Sequence, residues 1–529
     1  MEVKAISLEL SRVSKLVDID EFEEAWNANQ SLYQEISETK AKDNLFFLIM
    51  SNIASIFIDV GNMWPSVDSS KKGLEILEKY KSEIIEQIGE DVYHYNLSNG
   101  KSNLIVDKNP FNHDFSKIEK LIEIKTNLWK AIKLSGSTGS VPNEPTYIVN
   151  LGNSLKQQFR ISEALDCYDV VNSLDLDVPQ SWINRSETLM MLNTVSNTYS
   201  IQMLHQIKEG YEKILLSNQI PPQWVQYYKD QVELHQNRID EAVSDTGSEP
   251  DLHDKEETQR EYNELSDFRK FCLNNSLSLS EHGLYCACAG SARDNLTIPT
   301  MTGVVGDFVV PMEMVLNRLK SEFSFSRRMY FEYINNERDN ELLHESCFSE
   351  LFNDELLGLD VEKLRTAFRL CFGVLDKIGV AICQLFDLYP PNGNVSFQSF
   401  WQLDRDNRRE EFNKHRNPGL LALYSIATDL NEKKDGEWSF LKKLRNDLEH
   451  EFVVVYNSEE PSDIYSSYEF MKDMVFIKEE EFIEHLRRLL QLTRSAIFSF
   501  VFTVRDKAIS EKKDDALYSR NNILRKDYL

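Results

Sequence analysis

The stretch LKKLRNDLEHEFVVVY, Leu441 to Tyr456, gathers cations, carboxylates, an amide and one histidine ahead of a β-branched run. On a helical wheel with Arg445 at 0°, Leu441, Leu444, Leu448, Phe452 and Val455 fall between about 260° and 340°. That stripe predicts one core-facing side of a helix. Arg445 and Glu449 fall at about 0° and 40°, and Asn446 and His450 at about 100° and 140°. A cation, an amide and an imidazole therefore point the same way. Such a set suits cleavage of an RNA phosphodiester without a metal. Imidazole titrates near neutral pH, so His450 can serve as general base or acid on the 2′-hydroxyl or the leaving oxygen. Arg445 can grip the phosphate with two hydrogen bonds and stabilise its transition-state charge. Asn446 can fix a ribose or phosphate oxygen, and Glu449 can orient Arg445 or balance its charge.

Spacing alone does not single this stretch out. RDNELLH, Arg338 to His344, and REEFNKH, Arg409 to His415, repeat the pattern with longer gaps. Context separates them: Arg338 lies in a polar, Asn-rich connection, and the Arg409 stretch is bounded by Asn-Pro-Gly. Only the third sits on a clear amphipathic helix. The solvated face of an ordinary helix fits the same residues, and the wheel leaves both readings open.

The elements that must position this helix are read from the rest of the chain. At 529 residues, two or more domains are expected. With 14 prolines and 19 glycines, long helices are favoured over turn-rich sandwiches. A formal net charge of −27 excludes a broadly basic nucleic-acid coat. Any RNA contact must be local, and the remaining surface repels phosphate. Seven scattered cysteines fit buried thiols in a reducing cytosol. The N-terminal stretch has no secretory apolar region and no run of 18 apolar residues exists, so the expectation is a cytoplasmic protein with no membrane partner.

Residues 1–243 read as successive amphipathic helices, a helical repeat domain. In YIVNLGNSLKQQFRISEALDCYDVVNSL, Leu151 and Gly152 precede Ala164 by thirteen and twelve residues, and Tyr168 follows four later. Small residues there let two antiparallel helices approach while large ones fill the groove, and the segment resembles a tetratricopeptide repeat. Such arrays take protein or peptide partners, here a possible trigger. Residues 244–257 are acidic and aperiodic and read as a linker. Residues 258–309 read as an irregular connector, and 310–529 as an α-helical bundle with a broken PPNGNVSFQSFW insertion. The fold class is all-α.

The order of FCLNNSLSL, ARDNLTIP, AFRLCFGVLDKIGVAI, VSFQSFW, NPGLLALYSIATDL and LRNDLEHEFVVV resembles a HEPN domain, of the bacterial subgroup fused to tetratricopeptide-like helices. The resemblance covers about 250 residues, from Tyr262 to the last helix. It implies an α-bundle that pairs as a homodimer and, in many members, a metal-independent endoribonuclease. Arg445, Asn446 and His450 match the family's Arg-polar-x3-His motif, with His450 at its catalytic position and one such helix from each protomer forming a shared cleft. A family rich in toxins and anti-phage effectors makes such a role an expectation, with the repeats restraining the cleft. No cofactor is implied. The alternative is a non-catalytic scaffold binding RNA, nucleotide or a protein.

Other clusters carry blander expectations. Arg327 and Arg328 in FSRRMYF are candidates to line an RNA groove beside Tyr330, or a plain surface face. His282, Cys286 and Cys288 form H-x3-C-x-C without an evident fourth ligand, so incidental thiols and no metal are expected. Asp376 and Lys377 read as a buried or interface pair. Arg405, Arg408, Arg409, Lys414 and Arg416 are interleaved with acids: Trp401 to His450 holds ten basic and ten acidic residues, so this region is neutral within an acidic chain.

Overall fold

A computed structural model describes residues 3–511 apart from 40–41, 65, 106–113, 136–143, 175, 197, 199, 247–254, 300–305, 336–354, 357, 392 and 459–473. Among the described residues the chain forms twenty α-helices and two short strands, so the fold is all-α. It divides into two compact units. Unit 1 comprises residues 1–158, 163–189 and 204–246; unit 2 comprises residues 159–162, 190–203 and 247–529.

In unit 1, successive helices pack on one another, and helix Asn44–Met63 also meets non-adjacent helices. Helix Asn44–Met63 (NLFFLIMSNIASIFIDVGNM) buries Phe46, Phe47, Met50, Ile53 and Phe57, among others. It is long and apolar enough to cross a membrane, yet two thirds of its apolar window is buried inside the protein. Phe46 meets Tyr80 edge-on at 5.5 Å, which closes this core onto the next hairpin. Helices Glu144–Gln157 and Ile161–Asn172 meet at Gly152. A β-carbon there would stand 2.7 Å from the Tyr168 ring and 3.2 Å from Cys167 Cβ. Leu151, Ala164 and Tyr168 are all buried at this crossing. Close approach at the small residues and filling by the large one is the packing that the spacing calls for.

Unit 2 is organised around helix Leu359–Phe386, which buries 15 of its 28 residues. Helices Val309–Ile334 and Glu479–Ser510 flank it. Helix Pro418–Asp429 is buried along its whole length. Its start is set locally: the Asn417 side chain accepts from Leu420 N–H at 3.0 Å, and Pro418 supplies the first turn. It also lies very close to the last helix, since a β-carbon on Gly419 would come within 2.6 Å of the Ser499 carbonyl.

Three details depart from the sequence reading. The 258–309 connector is not wholly irregular: helix Lys255–Glu264 runs into it and helix Asp267–Asn274 follows. Of the expected linker, 247–254 lies outside the described residues. The bundle also holds a parallel two-stranded sheet, β1 (Val453–Tyr456) and β2 (Val475–Lys478), with Val453 opposite Val475 and Tyr456 opposite Lys478. Finally, Asp376 and Lys377 do not pair with each other. Asp376 accepts from Phe397 N–H at 2.9 Å and so ties down the VSFQSFW insertion, while Lys377 reaches Glu322 at 2.9 Å.

Candidate functional site

The motif helix runs from Ser439 to His450. Its entry is fixed by the element before it: Trp438 N–H donates to the Asp429 carbonyl at 2.8 Å. Leu441, Leu444 and Leu448 are buried, as the apolar stripe predicts. Phe452 is not. The helix stops at Glu451, whose backbone is extended (φ −120°, ψ 173°), and β1 begins two residues later. The periodicity switches from 3.6 to 2, and Phe452 is left 76% exposed, two residues from His450. Val453, Val454 and Val455 then turn inward together, as strand residues covered on both faces do.

Arg445 is half-buried, and Asn446, Glu449 and His450 are exposed. Arg445 donates through Nη1 to Asn446 Oδ1 at 3.2 Å, so the cation and the amide are already joined. Glu449 is oriented elsewhere than expected: its carboxylate stands 3.6 Å from Arg369 Nε. Arg369 also donates through Nη2 to the Leu448 carbonyl at 2.5 Å. One turn earlier on the same helix, Arg365 donates to the Val453 carbonyl at 2.7 Å. Two guanidinium groups of the central helix thus grip the backbone on both sides of His450. Both were missed in the sequence. Their i, i+4 spacing on the polar edge of an apolar helix was the available signal, but nothing in it named the partner 80 residues away.

The other candidates fare differently. Arg327 does not line a groove. It is 1% exposed, pairs with Asp294, and donates to the Leu277 carbonyl at 2.6 Å. A buried guanidinium needs a carboxylate, and this one is supplied by the ARDNLTIP segment. Arg328 is half-buried, donates to Glu332 at 2.8 Å and stacks on Phe268 and Phe331. Arg408 of the basic cluster is also buried, donating to backbone carbonyls of Leu388, Phe400 and Trp401. Of the rival pairs, Arg338 to His344 lies outside the described residues. His415 packs against Phe386 at 4.6 Å, and burial, then Lys507 and Lys414, depress its pKa. It is a packed ring rather than an open base.

His282, Cys286 and Cys288 are brought together: one ligand atom from each lies within 4.8 Å of the others. In unit 1, a separate groove of about 730 Å³ is lined by Asn62, Asn99, Asn103, Asn150, Asn153 and Asn184, among other residues. Asn150 donates to Tyr95 at 3.1 Å and to Asn99 at 3.0 Å, and Lys156 donates to Asn184 at 3.1 Å.

Residues 305–507 match the model of the LA2681-like HEPN family. This segment is a HEPN domain. The match contains the motif helix and both arginines that hold it. The helices of unit 1 lie outside it. No curated protein and no solved structure matches the chain.

Proposed function

We propose that the protein is a metal-independent endoribonuclease whose HEPN domain cleaves RNA by attack of the 2′-hydroxyl in a cleft shared across a homodimer. HEPN domains are often ribonucleases. The observation that carries the reading is the exposed end of the motif helix. It presents Arg445, Asn446 and His450 outward while three leucines anchor the opposite side and Arg365 and Arg369 hold the backbone. A general base must keep its geometry while its ring stays open to substrate. In this mechanism His450 takes the proton from the 2′-hydroxyl. The new oxygen–phosphorus bond forms as the 5′-oxygen leaves, and the partner subunit's His450 returns a proton to it. Arg445 holds the non-bridging oxygens, with Asn446 keeping its fork in place. Exposed Phe452 offers a base a stacking surface.

Unit 1 fits a regulatory part in this reading, as in a toxin or anti-phage effector restrained until triggered. The groove of unit 1 is the place in this reading for a protein or peptide trigger.

Incubating total RNA with wild type and with His450→Ala in excess EDTA tests the chemistry. Cleavage by wild type alone, leaving 2′,3′-cyclic phosphate or its hydrolysis products, is expected. Equal cleavage by both proteins overturns the assignment, as does cleavage only with added metal. No cleavage by either, with RNA retained on a filter, favours the non-catalytic binder.

A further inference from the structure

The segment Glu281–Ala292 holds three metal-ligating side chains that RNA cleavage does not use. Cys286 and Cys288 lie between two short 3₁₀ turns, His282–Leu284 and Ala289–Ala292. The loop is pinned by its backbone: Cys286 N–H donates to the His282 carbonyl at 3.0 Å, and the Cys288 carbonyl accepts from Ser291 N–H at 3.0 Å. This pinning turns both thiols and the imidazole to one side, with their ligand atoms within 4.8 Å of one another. A tetrahedral zinc site with bonds of about 2.0 to 2.3 Å places its ligand atoms about 3.5 to 3.8 Å apart. Small rotations of three side chains cover that difference.

The surroundings resemble those of a metal centre in two further respects. The His282 Nδ1 atom is 3.2 Å from the Tyr285 hydroxyl, which orients the ring and leaves Nε2 for a metal. Tyr285 is itself buried and Cys288 is 2% exposed, so the ring and one sulfur sit in a protected wall. The Glu261 carboxylate, which accepts from Ala289 N–H at 2.8 Å, places an anion next to the loop. Two soft sulfurs and one imidazole select zinc over calcium or magnesium, which take oxygen ligands.

We propose that His282, Cys286 and Cys288 bind one Zn²⁺ ion per chain, with the fourth position left to water. The ion clips the connector, whose 3₁₀ turns contribute few apolar side chains of their own. The loop is also tied to the last helix, since Arg505 donates to Glu281 at 2.6 Å. No step of RNA cleavage passes through the metal, so the two proposals fail separately.

Full-length protein purified without chelator is expected to hold one zinc per chain by elemental analysis. Cys286→Ser, Cys288→Ser and His282→Gln each reduce it roughly tenfold or more, while Cys167→Ser leaves it unchanged. Because a variant can fail to fold, the wild type supplies a second measurement. After metal removal and titration with Co²⁺ alone, a thiolate-to-cobalt charge-transfer band should rise and saturate at one equivalent, and Zn²⁺ should bleach it. Wild type with no zinc and no such band overturns the proposal. So does a zinc content indifferent to the three substitutions, or a wild-type mass two hydrogens light from a Cys286–Cys288 disulfide.

Discussion

Replacing Arg160 by methionine is the sharpest test of how the motif helix is held. Arg160 is fully buried, and its Nη1 donates to Asp429 Oδ2 at 2.5 Å and to Ser425 Oγ at 3.2 Å. Asp429 is almost as deeply buried, and its carbonyl accepts the Trp438 N–H that starts the motif helix. The substitution keeps much of the apolar stem but takes the buried guanidinium away from the Asp429 carboxylate. Removing one partner of a buried ion pair costs about 3 to 5 kcal/mol. For a large domain that is a fall of roughly 6 to 15 °C in the melting temperature. Arg160→Met combined with Asp429→Leu removes both charges and is expected to recover most of the loss. The assay is thermal and urea unfolding of wild type, both single variants and the double variant, following the transition that contains tryptophan signal from Trp401 and Trp438. A cost below about 1 kcal/mol for Arg160→Met, or a double variant as unstable as the sum of the singles, refutes the reasoning.

Four further outcomes follow from the same contacts. Gly419→Ala forces a methyl group against the Ser499 carbonyl and should destabilise unit 2 by about 1 to 3 kcal/mol, read as a lower urea midpoint. Burial raises the Asp506 carboxyl from its ordinary value to about 6. A raised carboxyl pKa favours the protonated fold, so this group's contribution is greatest below about pH 4 and is lost as pH rises to about 6. Asp506→Asn should therefore stabilise by up to about 3 kcal/mol at pH 7.5 and by almost nothing at pH 4, as seen in unfolding midpoints at the two pH values. Arg369→Met frees the Leu448 carbonyl and should speed hydrogen exchange at the Glu451 amide, with RNA cleavage falling while the melting temperature moves little. Arg445→Lys keeps the charge but loses the two-pronged grip, and kcat/KM on RNA should drop by roughly 10²-fold or more.

Much of this site was legible before folding was considered. The stripe of Leu441, Leu444 and Leu448 is a property of one turn and its neighbours, and so is the shared polar face of Arg445, Asn446 and His450. The start of helix Pro418–Asp429 was equally local, written in Asn-Pro-Gly. The close helix crossing at Gly152 could also be anticipated, because a glycine and a tyrosine sixteen residues apart are still within one hairpin. All of these rest on backbone geometry and side-chain volume within a short window, which a sequence states directly.

What the sequence could not state is which distant group each polar residue would meet. Arg327 read as a groove-lining cation or a plain surface residue until Asp294, 33 residues upstream, placed it in the interior. Arg365 and Arg369 drew no notice in the sequence, and only the folded chain brings the carbonyls on either side of His450 to them. Phe452 followed the helical stripe on paper and left it because strand pairing with β2 ended the helix first. His282, Cys286 and Cys288 were three residues in an irregular connector until its backbone hydrogen bonds turned them together. Apolar residues are placed by a periodicity that one helix contains. Buried charges, helix ends and ligand clusters are placed by partners, and partners are chosen only when the whole chain has folded.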